Sequence, residues 1–419
     1  MPIAVRSSAG STPADQATVR RLNLSLLLNN LAAGGARSRA RLADDTGLTK
    51  ATVSSLVAEL IERGLVLEGP VERNGLGRPG RVVELDPGGV RFLGIELQVD
   101  YITGMVLDLR GTVLARQRIG RSIAELGPAR ALGEVADVAR ALVAEAGSRV
   151  DQVQSLHLAI PGLIDADAGM LAMAPNLHWR DVDIVHTLMG RLQWNDARIG
   201  VDNDANMGAI AHHAVGDASR SRNLLYLAGA VGVGAGMIVD GRIVRGAAGF
   251  AGEVGHIAVG SPDRLCGCGQ RGCWETAVSL SALLDALAEP DGTPSTHPSD
   301  LGARLVQINR RAAAGERRVL AAIEEQAHWL GIGMSVLNNI LNPDTFVLGG
   351  HFSVLREYYR EPVLAELRSR LLAGSVSRVE FSDLQFEAAS LGAAHAGIAQ
   401  LIDDPTLARI RPAGRAEPS

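Results

Sequence analysis

Hydrophobic positions near the N-terminus recur at helical intervals and predict three short helices. Leucines spaced through residues 19–31 predict the first helix, which is amphipathic. Ser38 can cap a second helix that Gly47 ends, and Thr49 can cap a third helix that runs to Arg63. Two short helices joined by a tight glycine turn are typical of a helix-turn-helix. Its expected core residues are Leu42, Leu48, Val53, Leu56 and Leu60.

Two strands predicted at residues 65–68 and 81–85, joined by a loop rich in glycine and proline, indicate a wing after the third helix. In a winged helix-turn-helix the third helix meets base edges in the major groove, and a slim cationic loop can enter a narrow minor groove. The candidate DNA-binding residues are Thr49, Lys50, Ala51, Ser54, Ser55, Arg78 and Arg81. The alternative for this pattern is a three-helix protein-interaction module with a solvated arginine loop.

Beyond a linker at residues 86–89, short hydrophobic strands alternate with helical segments, which predicts an α/β fold. Polar and glycine residues follow several strand ends, and this is where α/β folds bind ligands. The residues at 289–300 are expected to form a surface excursion. Strands are expected at residues 92–98, 102–108, 112–118, 153–160, 198–201, 224–227, 235–239 and 345–348. Helices are expected at residues 129–146, 205–215, 317–339 and 390–401.

Composition indicates an ordinary soluble globular protein, since 47% of the 419 residues are hydrophobic and 21% are charged. No stretch reaches the ~20 apolar residues of a membrane span, and no apolar signal core begins the chain. We therefore expect a cytoplasmic protein with no membrane partner. The net charge is −5, but residues 1–90 carry 11 Lys+Arg against 9 Asp+Glu, or +2. This asymmetry has the sign expected of a DNA-binding head and is too small to decide the matter.

All three cysteines of the chain, Cys266, Cys268 and Cys273, fall within eight residues, and His256 lies ten residues before the first. Three thiolates and one imidazole are the ligands of a closed, structural zinc site, which leaves no position for a water molecule. The sequence therefore predicts bound Zn²⁺. Three buried thiols acting as small apolar side chains are the alternative. The glycines expected to let the backbone turn tightly around the metal are Gly267, Gly269 and Gly272.

Four segments, GEVGHIAV, CGCGQRGCWE, VDNDAN and DGRIVRGAAGFAGE, together resemble the ROK family of sugar kinases and sugar-responsive repressors over roughly residues 90–400. The resemblance implies an N-terminal winged helix-turn-helix, mainly α, followed by an α/β two-lobed, actin-like (ribonuclease H-like) sugar-kinase fold. The implied domains are a disordered tail at 1–15, a winged helix-turn-helix at 16–86, a small α/β lobe at 90–202 joined by the C-terminal helix at 388–402, a large α/β lobe with the zinc site at 203–387, and a disordered tail at 403–419.

The resemblance also implies a set of sugar-binding residues. Asn203 and Asp204 match the family's sugar-binding pair, with Asp204 at the position of the kinases' catalytic base. Glu253 and Glu275 match its sugar-hydroxyl carboxylates, and His256 matches the histidine that binds zinc through one nitrogen and can face the sugar with the other. Gly162 and Asn176 match loop positions that touch sugar in relatives. The alternative is that each acidic residue is a surface charge or a helix cap.

The phosphate-binding segments depart from the pattern of the family's kinases. Where those kinases carry Asp-x-Gly-Gly-Thr, this chain has Glu96-Leu97-Gln98-Val99-Asp100, so two side chains replace glycines and a negative charge faces the phosphates. The second phosphate loop reads Ala230-Val231-Gly232 and lacks its hydroxyl. Since phosphoryl transfer depends on positioning and electrostatics, we expect no kinase activity and no catalytic residue.

The sequence therefore predicts a sugar-responsive DNA-binding regulator, most simply a repressor of carbohydrate-utilisation genes. Its expected partners are a double-stranded DNA operator, a small sugar effector and a second copy of the chain, as a homodimer or tetramer. Three alternatives stay open: an active sugar kinase with an accessory DNA-binding head, a regulator that answers to a partner protein, and an activator. The sequence identifies neither the sugar nor the operator.

Overall fold

The computed structural model describes residues 15–72, 80–288, 301–371 and 377–410. They belong to two compact units. The first comprises residues 1–90, 108–110 and 398–419, and the second comprises residues 91–107 and 111–397. In these described ranges, no helix combines the length and the apolar character needed to cross a membrane.

The first unit is a winged helix-turn-helix, as predicted. Its elements are α1 (Gln16–Gly34), β1 (Arg37–Ser38), α2 (Arg39–Thr46), α3 (Lys50–Glu62), β2 (Val66–Glu72) and β3 (Gly80–Leu85), with the strands in the order β1-β3-β2. The predicted caps are present: Ser38 accepts a hydrogen bond from the Arg41 amide at 3.3 Å, and Thr49 accepts one from the Thr52 amide at 3.2 Å. Gly47 ends α2 in the left-handed region with φ 72°.

The core of this unit comes from all three helices. Leu42, Val53, Leu56 and Leu60 are at most 2% exposed, as predicted, whereas Leu48 is half-buried. In α1 the buried leucines are Leu24, Leu27, Leu28 and Leu31. The helix therefore turns these leucines inward and leaves Leu22 and Leu26, at 52% and 41%, exposed.

The first lobe of the second unit is built on a five-stranded sheet of order β11-β7-β4-β5-β6. Its elements are β4 (Arg91–Leu97), β5 (Tyr101–Leu107), β6 (Val113–Gly120), α4 (Pro128–Glu145), β7 (Val153–Ile160), β8 (Leu163–Asp165), β9 (Met170–Ala174), β10 (Trp179–Asp183), α5 (Ile184–Leu192) and β11 (Arg198–Asn203). The sequence did not predict α5 or the small antiparallel sheet β10-β9-β8.

The second lobe repeats this plan with a sheet of order β14-β13-β12-β15-β16. Its elements are α6 (Asp204–Ala214), β12 (Leu224–Gly229), β13 (Val233–Val239), β14 (Arg242–Ile243), α7 (Glu275–Val278), α8 (Leu280–Ala286), α9 (Leu301–Ala313), α10 (Arg317–Leu341), β15 (Thr345–Gly350), α11 (His351–Val354), α12 (Arg356–Ser369), β16 (Arg378–Phe381) and α13 (Ala388–Asp403). The surface excursion predicted at 289–300 lies outside the described residues.

Each of the two sheets contains three parallel strands. In the first lobe β4, β7 and β11 are parallel, and in the second lobe β12, β15 and β16 are parallel. Helix α13 packs closely on both lobes: a Cβ on Gly94 of β4 would lie 1.9 Å from the Ser390 carbonyl oxygen, and a Cβ on Gly392 would lie 1.6 Å from that of Met207 in α6. These two glycines therefore allow one helix backbone to contact a strand and a helix directly.

The expectation of disorder from residue 403 onward is wrong for residues 403–410. Arg63, at the end of α3, donates to the backbone oxygens of Thr406 and Ala408, and Ala408 is only 1% exposed. The same guanidinium pairs with Glu59 at 2.8 Å. Residues 403–410 are therefore folded within the first unit, because the half-buried Arg63 binds their carbonyl groups.

Candidate functional site: a sugar cleft beside a metal-binding loop

Three thiols and one imidazole converge in the loop at residues 256–273, here named the metal loop, which precedes α7. One ligand atom from each of His256, Cys266, Cys268 and Cys273 lies within 4.8 Å of all the others. The sulfur atoms of Cys268 and Cys273 are 3.6 Å apart, and the Cys266 sulfur is 3.7 Å from His256 Nδ1. Ligands about 2.3 Å from a tetrahedral zinc are separated by ~3.8 Å, so both the donor set and its spacing fit a metal ion.

Tight backbone turns bring the sulfur atoms together. The Cys266 amide donates to the Gln270 carbonyl oxygen at 2.8 Å, and the Gly269 amide donates to the Cys266 carbonyl oxygen at 2.9 Å. Gly269 and Gly272 have φ values of 89° and 75°, which favour glycine. Gly267 has no positive φ, so no left-handed conformation requires a glycine at that position.

A cavity of about 830 Å³ lies beside this loop, at the ends of the parallel strands. All seven residues predicted to bind sugar line it: Asn203, Asp204, Glu253, His256, Glu275, Gly162 and Asn176. The His256 ring joins the two sites, because its Nδ1 faces the thiols and its Nε2 lies 3.8 Å from Glu253 Oε2. The fold thus places Glu253, His256 and Glu275 beside residues that are distant in the sequence, such as Gly162 and Asn176. Sugar contact by each of these seven residues remains a prediction.

Asn203, the last residue of β11, already uses its side chain within the protein. Its Oδ1 accepts from the amides of Ala205 and Asn206, at 2.8 and 3.3 Å, and so caps α6. Its Nδ2 donates to the Gly162 carbonyl oxygen at 3.0 Å. Asn203 therefore holds the loop after β7 in place, and one N–H of its amide remains to be offered to the cavity.

Asp204 opens α6 and is held by a glutamine that the sequence reading had not assigned to the site. Gln98 Nε2 donates to Asp204 Oδ2 at 2.6 Å and to Glu96 Oε1 at 3.2 Å. The Ala205 amide donates to the other Asp204 oxygen at 2.9 Å. Burial raises the pKa of Asp204, against the lowering effect of these hydrogen bonds. One feature of the sequence could have indicated a role for Gln98: by the family resemblance, it stands where the kinase pattern Asp-x-Gly-Gly-Thr has glycine.

Glu253 and Glu275 approach the cavity from the side of the metal loop. Burial raises the pKa of Glu253, the His256 ring lowers it, and the neighbouring carboxylates raise it further. Glu275 Oε1 lies 3.0 Å from the Cys266 sulfur, while its Oε2 accepts from the Val233 amide at 3.4 Å. The position of Glu275 therefore depends on the metal loop as well as on β13.

An ion pair between the buried Asp202 and the partly exposed Arg245 supports the turn that carries Asn203 and Asp204. Asp202, 3% exposed, accepts from Arg245 at 2.7 Å and from Asn206 Nδ2 at 2.9 Å. Sequence reasoning missed this pair, because Arg245 lies 43 residues away. Removal of Arg245 would leave the buried Asp202 carboxylate without its charge partner, whereas removal of Asp202 would leave an arginine that solvent already reaches.

A separate cavity, of about 740 Å³, is lined by residues of the segments 96–101 and 228–231. Glu96, Asp100 and Asp204 line it together with Arg118, whose guanidinium lies 4.1 Å from the Tyr101 ring centre. Burial and the nearby Asp204 carboxylate raise the pKa of Glu96 to about 8, although Tyr101 donates a hydrogen bond to it at 2.9 Å. Among the described residues of this lining, the acidic side chains Glu96, Asp100 and Asp204 outnumber the one arginine, Arg118.

Packing accounts for the two glycines that end β15. A Cβ on Gly349 would lie 2.1 Å from the Tyr226 hydroxyl oxygen, and one on Gly350 would lie 1.8 Å from the Gly229 carbonyl oxygen. Gly350 also has a φ of 62°. Both residues are therefore required by the fold itself and give no separate evidence of nucleotide binding.

In the first unit, the face of α3 predicted to meet DNA is open to solvent. Lys50, Ala51, Ser54 and Ser55 are exposed, and Thr49 caps the helix. Arg81 is exposed and pairs with Glu68 at 3.5 Å. Arg78, the other predicted wing residue, lies outside the described residues. The direct DNA contacts of all these side chains stay predictions.

Comparisons with known proteins agree with this architecture. The sequence pattern of the ROK family matches residues 92–404, and that of the IclR helix-turn-helix domain matches residues 16–69. The xylose repressor of Caldicellulosiruptor bescii is 29% identical over 397 residues, which cover 93% of this chain and 98% of the relative.

Two solved structures resemble the chain over much of its length. A ROK family transcriptional regulator, described as a homolog of the E. coli MLC protein, has a TM-score of 0.75 at 23% identity and covers 93% of this chain and 98% of its own. A ROK hexokinase from Thermus thermophilus has a TM-score of 0.62 at 27% identity, over 75% of this chain and 100% of its own. The first likeness shows that the fold includes the N-terminal head.

Fold and cleft together define a protein with a two-lobed, actin-like sugar-kinase fold that carries a helix-turn-helix in front. The ROK pattern covers more than half of the sequence. The chain belongs to the ROK family.

Proposed function

We propose that the protein is a sugar-responsive DNA-binding regulator that represses carbohydrate-utilisation genes. One observation carries this proposal: the seven predicted sugar-binding residues line a single cavity. The exposed face of α3 supplies the DNA-binding surface in the same chain. The name of one relative, a xylose repressor, favours a repressor over an activator.

The chemistry of the cleft suits a neutral polyol. Asp204, Glu253 and Glu275 supply carboxylate oxygens, and no lysine or arginine is among the described residues that line the cavity. Carboxylates accept charge-assisted hydrogen bonds from hydroxyl groups, whereas they repel anions. We therefore propose an uncharged sugar as the effector.

We further propose that kinase activity has been lost. Gln98 occupies the space between Glu96 and Asp204 and bonds to both carboxyl groups. Asp100 adds a negative charge beside the position of the phosphates. Lost amide donors and like charge weaken ATP binding, because each hydrogen bond to a charged group contributes about 1.5–3 kcal/mol. Asp204 then serves as a sugar acceptor instead of a catalytic base.

The metal ion in this proposal is Zn²⁺, held by His256, Cys266, Cys268 and Cys273. With four protein ligands the ion is structural and activates no water. Its contribution is to order the loop from which His256, Glu253 and Glu275 reach the cavity. The predicted domain boundaries, at residues 16–86, 90–202 and 203–387, are also part of the proposal.

We propose a cytoplasmic homodimer or tetramer as the DNA-binding form. A symmetric dimer presents two recognition helices about one helical turn, ~34 Å, apart, and its operator is then pseudo-palindromic. Sugar can release DNA only by its differential affinity for two states of the protein. The effector must therefore bind the DNA-free state more tightly.

Operator selection followed by a sugar panel tests this function. Zinc-loaded protein is used to select duplexes from a random library, and the recovered sites should contain half-sites about 10 base pairs apart. Aldoses and amino sugars are then added to the labelled operator, with fluorescence anisotropy as the readout. We expect at least one sugar to lower operator affinity and a scrambled duplex to show no response.

The competing function is an active sugar kinase with an accessory DNA-binding head, which the likeness to a ROK hexokinase favours. A coupled ATPase assay with the same sugar panel separates the two. We expect no sugar-dependent turnover above the blank. Hexose phosphorylation at ordinary enzymatic rates, with kcat of about 1–100 s⁻¹, would instead support the kinase.

A substitution in α3, the proposed recognition helix, gives a second prediction. Lys50→Ala should weaken binding to the selected operator by about 1–3 kcal/mol, since Lys50 opens the exposed face of α3 and its charge serves base or phosphate contact. Lys50→Arg is the matched control and should retain most of the affinity. Anisotropy titrations at several salt concentrations provide the measurement. Unchanged operator affinity in Lys50→Ala would remove this face from the interface.

A further inference from the structure

The sugar cavity adjoins a second, solvent-open cavity beside the metal loop. The two cavities share five lining residues: Asn176, Val231, Gly232, Gly267 and Glu275. Beyond these shared residues and the proposed metal ligand Cys266, the second cavity is lined by residues that no part of the proposed function has used, among them Arg264, Leu265 and Asp285. We infer that this second cavity is a second sugar subsite and that the effector is a disaccharide. The inference rests on the proposed function, because it extends the same effector pocket.

Gly232 lies where the two cavities meet. A Cβ at this position would be 2.7 Å from Glu275 Oε2 and 3.9 Å from Asn176 Nδ2. Its backbone is not in the left-handed region, so turn geometry does not require a glycine here. A side chain at this position would clash with the Glu275 carboxylate, so glycine lets that carboxylate reach the boundary that the two cavities share.

The second cavity offers the groups that recognise a pyranose ring. Arg264 is exposed and anchored, since its Nη1 donates to the Thr276 carbonyl oxygen at 2.8 Å. Asp285 of α8 is exposed in the same lining, and the Ser281 hydroxyl is nearby. A guanidinium and a carboxylate can together bind sugar hydroxyls as donor and acceptor. Leu265, 64% exposed, supplies an apolar surface for the C–H face of the ring.

Charge favours a neutral second ring over a phosphate group. Arg264 is the one cation among the described residues of this lining, against the carboxylates of Glu275 and Asp285, so one positive and two negative charges give a net charge of −1. The first cavity is acidic as well. A phosphorylated sugar would therefore meet like charge in both cavities, whereas a disaccharide would not.

Calorimetry on the zinc-loaded full chain tests this inference. The ligands are xylose, glucose and N-acetylglucosamine, each compared with its β-1,4-linked dimer, namely xylobiose, cellobiose and diacetylchitobiose. We expect one dimer to bind at least tenfold more tightly than its monomer. Arg264→Ala and Asp285→Ala should each remove most of that gain and leave the Kd of the monomer unchanged.

Arg271→Ala is the matched control. Arg271 also anchors the metal loop, through a hydrogen bond to the Asp263 carbonyl oxygen at 2.8 Å, but it does not line the cavity. Its replacement should leave the affinities for monomer and dimer unchanged. Metal content and thermal stability, measured on every variant, report whether the loop is intact.

Three results would overturn the inference, and they differ in what they imply for the proposed function. Monomers that bind as tightly as every dimer would overturn the second subsite alone. So would an equal weakening of monomer and dimer in Arg264→Ala and Asp285→Ala, because that pattern indicates a general role for the loop. An absence of binding by any sugar would overturn both the subsite and the sugar-responsive function.

Discussion

Replacing Asp204 with asparagine is expected to weaken sugar binding by roughly 10- to 100-fold. A hydrogen bond to a charged acceptor contributes about 1.5–3 kcal/mol, and each 1.36 kcal/mol corresponds to a factor of ten. Asparagine keeps the size of the side chain and retains one oxygen that can accept from Gln98, so the cleft should stay folded. Calorimetry with the sugar that releases the operator measures the loss.

The same variant should bind the operator with unchanged affinity but no longer release it at the wild-type sugar concentration. Asp167→Asn is the matched control, because Asp167 is exposed in the turn between β8 and β9 and does not line the cavity. It should behave as the wild type in both assays. If Asp204→Asn retained full sugar affinity, Asp204 would be only a partner for Gln98.

A lower pH should weaken the same contact between the cleft carboxylates and the sugar. Burial raises the pKa of Asp204 and of Glu253, so each carboxyl group becomes protonated at a higher pH than an exposed one. A protonated carboxyl group loses acceptor capacity for sugar hydroxyls. Sugar affinity is therefore expected to be full well above these raised pKa values and to fall as the pH drops through them. Asp204→Asn should show a smaller fall, because one of the two carboxyl groups with a raised pKa is then absent.

The sequence predicted best those features whose signals are local. The caps at Ser38 and Thr49 lie within three residues of the amides that they bind, and Gly47 ends its own helix. The three cysteines likewise lie close together along the chain, so their convergence needs only a tight loop. The assembly of Gly162, Asp204 and the metal loop around one cavity followed from the family resemblance, since no periodicity in the sequence relates them.

Features that depend on distant partners were not predicted. Gln98 bonds to Asp204 across 106 residues, and nothing near Gln98 in the sequence indicates that contact. Residues 403–410 have the polar composition of a tail, but Arg63 binds carbonyl oxygens more than 340 residues away and orders them. Asn203 was predicted to bind sugar, whereas much of its hydrogen-bonding capacity serves the α6 cap and the Gly162 loop.

Loss of the metal is expected to impair sugar binding before it impairs DNA binding. Cys273→Ser removes one of four ligands at a position that is only 1% exposed, and zinc should then be lost. His256 and Glu275 owe their positions partly to this loop, since Glu275 Oε1 lies 3.0 Å from the Cys266 sulfur. Their displacement should weaken sugar binding at least tenfold, or about 1.4 kcal/mol. Metal analysis, calorimetry and operator anisotropy on one preparation measure the three properties.

Chelation of the wild-type protein provides the reversible counterpart of Cys273→Ser. Removal of zinc should lower the thermal stability and the sugar affinity together, and re-addition of zinc should restore both in the wild type but not in the variant. Operator affinity should change little, because no ligand of the metal belongs to the first unit. A metal-free protein that binds sugar with the wild-type Kd would show that the loop is ordered without zinc, and the metal would then have no part in effector recognition.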